Sequence, residues 1–354
     1  MEERGARPPR VGRGFAGPAV TGATPPQATD RIILAGSDVA IPPLGVGTWA
    51  WGDKGVWGMG GYDQSLTEST IHDAWEASIE AGVVFFDTAE VYGSGESERI
   101  IGRLLASDPT VRSSVVIATK FMPSPWKVNV HARLLSAARQ SLERLGCDTI
   151  DLYQIHGPIS LRSHDALGEA LAAAHAEGLV KAVGVSNYSA KETRSMDAAL
   201  RKRGLRLASN QIEFSLLRTM PRRVGLLDCC RELGVVPLAY SPIGQGRLTG
   251  KYTASNPPPG GRTFSAHPME QVDAIVAELR RIGEAHDGRT PSQVALAWLI
   301  AQGAVPIPGA KNRSQAEQNA GALGWQMTDD ELARLDDASL FGKRGISQRV
   351  WQHG

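Results

Sequence analysis

The chain has 354 residues, of which 42% are hydrophobic and 21% are charged, a composition typical of a folded globular protein. Its 38 Lys and Arg residues nearly balance its 37 Asp and Glu residues, so net charge points to neither nucleic acid nor a membrane surface. The cysteines, Cys147, Cys229 and Cys230, show no paired spacing, which argues against a disulfide framework and a zinc site. We therefore expect a small-molecule partner, no metal and a reducing compartment such as the cytoplasm, with the oligomeric state left open.

The first 30 residues are rich in Gly, Pro and Arg and contain no apolar signal segment. We predict that residues 1 to 30 form a disordered extension. A plastid transit peptide is the alternative, but Glu2 and Glu3 count against it because such peptides are poor in acidic residues. No stretch of the chain reaches the roughly 18 apolar residues of a membrane span.

From residue 31 onward, short β-branched runs alternate with amphipathic segments, which is the pattern of βα units around a parallel sheet. The predicted strands are residues 44 to 48, 83 to 87, 115 to 120, 149 to 156, 181 to 186, 207 to 213, 235 to 241 and 304 to 308. Eight such runs predict an α/β protein that closes into a (β/α)8 TIM barrel. The sequence RIILAGSDVAIP before the first strand predicts a hairpin at the bottom of the barrel.

Helices are predicted between the strands, and several of them end at a glycine, as helices often do. They cover residues 66 to 82, 94 to 105, 131 to 146, 164 to 178, 189 to 204, 221 to 234 and 269 to 286. Extra helices follow Thr290, with Pro291 at the first helical position, and Thr328, which begins a capping box. The barrel is predicted to span residues 31 to 340, followed by a tail of residues 341 to 354 with no recognisable pattern.

Polar residues collect at the carboxyl ends of the predicted strands, the face where barrel enzymes build their sites. Asp87 ends one strand and Tyr92 follows five residues later, whereas Lys120 and His156 end the next two strands. Taken singly, Asp87 fits a helix cap, Tyr92 a packed loop aromatic, Lys120 a side chain reaching solvent and His156 a core imidazole. Together they predict a common site.

Seven successive segments resemble the aldo-keto reductase family over residues 31 to 340. They are FFDTAEVYG, ATK, LYQIH, KAVGVSNYS, SNQIEFS, AYSPIGQGRLTGKY and PIPGAKNRSQAEQNAG, in that order. The resemblance is strongest to the branch that contains pyridoxal reductases and potassium-channel β-subunits. It implies a catalytic tetrad of Asp87, Tyr92, Lys120 and His156.

In that tetrad, Tyr92 would donate a proton to the developing alkoxide. Lys120 would lower the pKa of Tyr92, since a nearby cation favours the phenolate. Asp87 would pair with Lys120 and offset the cost of burying its ammonium. His156, whose role is the least firmly fixed, would orient the carbonyl oxygen.

The resemblance also implies NADP(H) as the cofactor, while a Rossmann site is excluded because no GxGxxG follows the first strand. The nicotinamide end is expected at Ser186, Asn187, Gln211 and Tyr240, and Gly47, Thr48 and Trp49 are also expected to contact the cofactor. The pyrophosphate is expected at Ser241, Pro242, Ile243, Gly244, Gln245, Leu248 and Lys251, and the adenosine end at Gly309, Lys311, Gln315, Gln318 and Asn319. Lys311 and Arg313 would pair with a 2′-phosphate, and a solvated helix start is the alternative for them.

Trp49, Trp51, Trp57 and Trp126 lie in loops after strands, where they are expected to wall an apolar pocket for an aldehyde or ketone. Ordinary loop packing is the alternative, above all for Trp57. The leading hypothesis is an NADPH-dependent reductase of aldehydes and ketones. The alternative is a cofactor-binding redox sensor that resembles the potassium-channel β-subunits. A metal-dependent hydrolase is disfavoured because, of eight histidines, only His156 is placed at a strand end.

Overall fold

The computed structural model describes residues 24–52, 66–126, 129–259, 267–343 and 345–354. Its strands are β1 (Ile32–Ile33), β2 (Ala40–Ile41), β3 (Val46–Gly47), β4 (Phe85–Asp87), β5 (Val116–Phe121), β6 (Ile150–Ile155), β7 (Val180–Ser186), β8 (Ser209–Glu213), β9 (Val236–Tyr240) and β10 (Val305–Pro306). The strands β3 to β10 form one parallel sheet in chain order. All eight predicted barrel strands are therefore confirmed.

Hydrogen bonds between the first and last strands close this sheet into a barrel. The Gly45 amide donates to the Pro306 carbonyl and the Gly47 amide to the Pro308 carbonyl, each at 3.0 Å. A side chain at Gly47 would stand 2.8 Å from the Ile307 carbonyl oxygen, so only glycine lets the two strands approach. The predicted (β/α)8 barrel is confirmed.

The helices surround this barrel, and the predicted helical segments agree with them to within a few residues, whereas α1 and α13 lie where no helix was predicted. They are α1 (Trp49–Gly52), α2 (Glu68–Glu80), α3 (Glu96–Ser107), α4 (Val130–Leu145), α5 (His164–Ala176), α6 (Ala190–Arg201), α7 (Met220–Arg223), α8 (Leu226–Leu233), α9 (Met269–Ala285), α10 (Pro291–Ala301), α11 (Arg313–Ala320), α12 (Asp329–Ala338) and α13 (Ile346–Trp351). The helix predicted over residues 221 to 234 is divided at Gly225, whose φ of 75° breaks the right-handed run. Among the described helices, none has the length and apolar character of a membrane span.

The predicted hairpin is β1 paired antiparallel with β2, with Ile32 opposite Ile41. Leu34, Val39 and Ile41 pack with strand residues such as Phe85 in the core inside the barrel. A second and larger core lies between the strands and the helices. The hairpin therefore fills the end of the barrel opposite the carboxyl ends of the strands.

The two ends of the chain differ from the prediction where the structure describes them. Residues 1–23 of the predicted disordered extension lie outside the described ranges. Residues 24–30 of the extension pack on the barrel. The Gly324 amide donates to the Pro26 carbonyl at 2.8 Å, and Ala28 contacts the core between the strands and the helices. The tail, which had no recognisable pattern, forms α13 and then crosses the carboxyl ends of the strands.

Candidate active site

The four residues of the predicted tetrad converge where β4, β5 and β6 end. The Nζ atom of Lys120 on β5 donates to Asp87 Oδ1 on β4 at 2.5 Å and to the Tyr92 hydroxyl at 3.2 Å. The Tyr92 ring stands edge-on to that of His156, with centroids 5.7 Å apart. The structure therefore brings all four together, although they come from three separate βα units.

The contacts of Lys120 account for a charged ammonium in a buried position. Its side chain is fully buried, and a third donation, to the Thr88 carbonyl at 2.7 Å, joins those to Asp87 and Tyr92. An ammonium has three N–H donors, and each has one of these partners. The phenol oxygen of Tyr92 accepts from Lys120, which leaves its own proton for another acceptor.

The second oxygen of Asp87 is held by amides from two further strands. Asp87 Oδ2 accepts from Gln211 at 2.8 Å and from Gln154 at 3.3 Å. The Thr48 hydroxyl donates to the Asp87 carbonyl at 2.9 Å. Because a buried carboxylate is costly unless it is paired and hydrogen-bonded, these contacts offset the burial of Asp87 and hold it against Lys120. The prediction that Asp87 pairs with Lys120 agrees with this geometry.

Burial shifts the acid–base properties of this group. Burial, reinforced by the Asp87 carboxylate, raises the pKa of Tyr92 well above its ordinary value. Burial lowers the pKa of Lys120, and Asp87 opposes that shift. The sequence-based expectation was that Lys120 would lower the pKa of Tyr92, and the direction found is the reverse because burial outweighs the cation. Tyr92 therefore keeps its proton at neutral pH.

His156 is a neutral imidazole at this site. Burial lowers the pKa of His156 well below its ordinary value, and the neighbouring Lys120 adds to that shift. No described residue hydrogen-bonds to His156 Nδ1, although this atom is buried. A buried polar atom of this kind needs a hydrogen bond from a ligand or a water molecule.

A cavity of about 1170 Å³ opens above the tetrad. Asp87, Tyr92 and His156 line it, while Lys120 lies beneath them. The predicted cofactor residues on its wall are Gly47, Trp49, Ser186, Asn187, Gln211, Tyr240, Ser241, Pro242, Ile243, Gln245, Lys251, Gly309, Lys311, Gln315, Gln318 and Asn319. The residues predicted for one dinucleotide therefore share one continuous surface.

Some predicted cofactor residues lie elsewhere. Thr48 is fully buried behind Asp87, Leu248 lies in the core between the strands and the helices, and Gly244 lies close against the Leu217 side chain. Arg313 faces away from the cavity, because its guanidinium donates to Glu80 on α2 at 2.6 Å. The predicted contact of Arg313 with a 2′-phosphate is therefore not what the structure shows, and Lys311 alone of that pair lines the cavity.

The loop after β9 has an unusual backbone that suits a bound anion. Ser241 and Gln245 have positive φ angles of 49° and 52°, and Gly246 follows at 91°. Non-glycine residues in this conformation are strained and cluster at functional sites, and the turned backbone directs amides into a concavity. The N-terminal residues of α10 also line the cavity, where a helix favours negative charge.

The charge of the cavity wall fits a phosphorylated dinucleotide. Among the described residues that line it, Asp87 is the only carboxylate, and it is already paired with Lys120. Lys251 and Lys311 supply positive charge on the same wall. NADH sites commonly use an acidic residue on the ribose hydroxyl, and the described wall offers no carboxylate besides Asp87, which is paired with Lys120. The residues present therefore fit NADP(H).

Of the tryptophans predicted to wall the pocket, Trp49 alone lines the cavity among the described residues. Trp51 is buried in the core, with its indole nitrogen donating to the Ala310 carbonyl at 2.7 Å, whereas Trp126 is 78% exposed. Neither lines the cavity, and Trp57 lies outside the described residues. Trp49, predicted for the cofactor, does line it beside Tyr92, with ring centroids 6.4 Å apart.

Sequence reasoning missed the contribution of the tail. Trp351 and Gln352 line the cavity, and the Trp351 ring stands 5.5 Å from that of His156. The indole of Trp351 was the only signal in the sequence of the tail, and it did not show that the tail reaches the cavity. Thr290, Pro291 and Ser292, at the start of α10, were also predicted only as a helix start although they line the cavity.

Comparison with known proteins agrees with this geometry. The model of the "Aldo/keto reductase family" matches residues 43–340. Pyridoxal reductase, chloroplastic, from Arabidopsis thaliana is 36% identical over 327 residues, which cover 89% of this chain and 87% of the relative. The glycerol dehydrogenase of Gluconobacter oxydans superposes with a TM-score of 0.74 at 29% identity, covering 90% and 99% of the two chains.

A further solved structure that resembles this chain contains bound NADP. The aldo/keto reductase from Klebsiella pneumoniae in complex with NADP and acetate superposes with a TM-score of 0.67 at 25% identity, covering 88% of this chain and 95% of its own. The family match spans most of the chain and contains the eight barrel strands, the tetrad and every described residue of the cavity wall except Trp351 and Gln352. The chain belongs to the aldo/keto reductase family, whose members are oxidoreductases that use NADP(H).

Proposed function

We propose that the protein reduces aldehydes or ketones to alcohols, with NADPH as the reductant and Tyr92 as the proton donor. The observation that carries the proposal is the placement of the Tyr92 hydroxyl on the cavity wall, 3.2 Å from the Lys120 ammonium. When bound, NADPH supplies the hydride. The chain's own residues must then bind both reactants, exclude water and deliver a proton.

The proton is delivered by Tyr92 because its oxygen already accepts from Lys120. As negative charge develops on the substrate oxygen, the phenol hydrogen transfers to it and the ammonium stabilises the phenolate that remains. Asp87 holds Lys120 in place. A neutral His156 donates from a ring nitrogen to the substrate oxygen and orients it, which agrees with its lowered pKa.

The substrate would lie between two indole rings. Trp49 flanks Tyr92, and Trp351 flanks His156 on the other side. Flat aromatic walls favour an aldehyde or ketone with a flat apolar body. Pyridoxal, the substrate named for the Arabidopsis thaliana relative, is one carbonyl of this shape.

The proposal is tested by titrating the protein with NADPH and NADH and then measuring turnover of aliphatic aldehydes, aromatic aldehydes, ketones and pyridoxal. We expect tighter binding of NADPH and reduction of at least one carbonyl class. Tight NADPH binding with no carbonyl reduced would contradict the proposal and favour a cofactor-binding redox sensor.

The pH dependence of reduction should be flat around neutrality. Because His156 is protonated only well below its ordinary pKa of about 6.5, and Tyr92 loses its proton only well above about 10, neither changes charge between about pH 6 and 8. The measurement is kcat/KM for reduction across this range. An inflection near pH 6.5 that disappears in His156→Asn would show that His156 is not the neutral group inferred here.

Trp351→Ala should weaken the binding of aromatic substrates. Removing the indole exposes the face of a flat substrate, so we expect KM for an aromatic aldehyde to rise roughly tenfold, from the worth of an aromatic contact. KM for acetaldehyde should change little. Trp126→Ala is the matched control, because Trp126 is 78% exposed and does not line the cavity. If the two substitutions raised KM for the aromatic aldehyde equally, the placement of the substrate against Trp351 would be refuted.

A further inference from the structure

The last residues of the tail form hydrogen bonds on the side of the cavity predicted for the nicotinamide. Gln352 Nε2 donates to the Tyr240 hydroxyl at 2.8 Å and to Glu213 Oε2 at 2.5 Å. Both acceptors end strands, because Glu213 closes β8 and Tyr240 closes β9. A single amide therefore ties together the carboxyl ends of two neighbouring strands.

The contact continues through Tyr240 to Asn187. The Tyr240 hydroxyl donates to Asn187 Oδ1 at 2.9 Å, so its one proton is committed to Asn187 and its oxygen accepts from Gln352. Burial, with the nearby Glu213, raises the pKa of Tyr240 well above its ordinary value, which keeps that proton in place. The His353 amide also donates to the Asn187 carbonyl at 3.0 Å.

The tail itself is firmly anchored. The Arg218 guanidinium, buried beside Glu213 with a 3.6 Å separation, donates to the Gly354 backbone oxygen at 2.6 Å. His353 Nδ1 lies 2.9 Å from Glu192 Oε1 on α6. A side chain at Gly354 would stand 2.7 Å from the Tyr188 carbonyl oxygen, so the segment fits closely against the barrel. Gln352 therefore acts from a fixed backbone.

We propose that Gln352 is a positioning residue of the reductase: it holds the Tyr240 ring, and through it the Asn187 amide, in the orientation that the nicotinamide requires. The proposal rests on the proposed function and on the expectation, from the family resemblance, that the nicotinamide lies at Tyr240 and Asn187. Gln352 lies on the cavity wall with both of them. The tail thus supports the cofactor side of the site through Gln352 and the substrate side through Trp351.

The test compares Gln352→Met, which keeps the length of the side chain and removes its hydrogen bonds, with the wild type. We expect the Kd for NADPH to rise roughly three- to tenfold, the value of about one hydrogen bond. The Kd for adenosine 2′,5′-bisphosphate, which lacks the nicotinamide, should stay within twofold, about the spread of a surface substitution. Gln140→Met, at an exposed glutamine on α4, is the control and should change neither.

A double-mutant cycle with Tyr240→Phe tests whether Gln352 acts through the Tyr240 hydroxyl. In the Tyr240→Phe background, Gln352→Met should raise the Kd for NADPH by less than twofold, because the contact is already lost. Additive effects, or an equal rise in the Kd for both ligands, would overturn the proposal. These binding results are independent of turnover, so a wild type that binds NADPH but reduces no carbonyl would refute the proposed function alone.

Discussion

Tyr92→Phe is expected to reduce kcat for carbonyl reduction by between about 10² and 10⁴, the usual contribution of a positioned general acid. The substitution removes the proton donor and leaves the ring in place beside His156 and Lys120. Since the phenol acts on the substrate oxygen in the transition state, the Kd for NADPH should stay close to that of the wild type. Steady-state kinetics and a fluorescence titration with NADPH measure the two quantities.

Tyr153→Phe is the matched control for this substitution. Tyr153 is also fully buried, on β6, and no described residue hydrogen-bonds to its hydroxyl. It makes the same chemical change away from the cavity wall, so kcat should be nearly unchanged. Comparable losses of kcat in the two variants, or a loss of NADPH affinity in Tyr92→Phe, would contradict the role given to Tyr92.

The Asp87 and Lys120 pair should show strong coupling in the free energy of unfolding. Asp87→Asn and Lys120→Met each remove one partner of a fully buried ion pair, and each should cost about 3 kcal/mol or more, because the other charge is left buried. In Asp87→Asn, the new amide also places a donor against either Lys120 or the amides of Gln211 and Gln154.

The double variant should be more stable than the sum of the two single changes by about 2 kcal/mol or more, since no unpaired charge remains. Urea unfolding gives the free energies. The control cycle uses Arg139→Met and Glu177→Gln, an exposed pair whose coupling should stay below about 1 kcal/mol. A buried pair that behaves additively would mean that Asp87 and Lys120 are not held as the charged partners described above.

The barrel was predictable because its pattern is local. Each βα unit carries its own apolar run, helix and glycine stop, and the parallel order follows from the rhythm of these units. The tetrad was predictable for a related reason: Asp87, Lys120 and His156 mark the carboxyl ends of successive strands, and a closed barrel brings those ends to one rim.

The remaining features depend on contacts that no local pattern records. Nothing near Trp351 or Gln352 in sequence shows that the tail returns to Tyr240 and Asn187, because these contacts span more than a hundred residues. Arg313 shows the same difficulty, since its partner Glu80 lies on α2. The sequence predicts a lowered pKa for Tyr92 because it shows the neighbouring cation but not the burial of the phenol, which raises the pKa in the packed structure.

The hairpin of β1 and β2 and the tail set the limits of the shortest fragment that can fold with a complete site. The family match covers residues 43–340, yet Leu34, Val39 and Ile41 fill the inside of the barrel from before that range, and the tail completes the cavity from beyond it. A fragment limited to the matched range would expose the apolar floor at one end and lose Trp351 and Gln352 at the other. The smallest independently expressed unit is therefore longer than the family boundary, and it must carry both flanking segments.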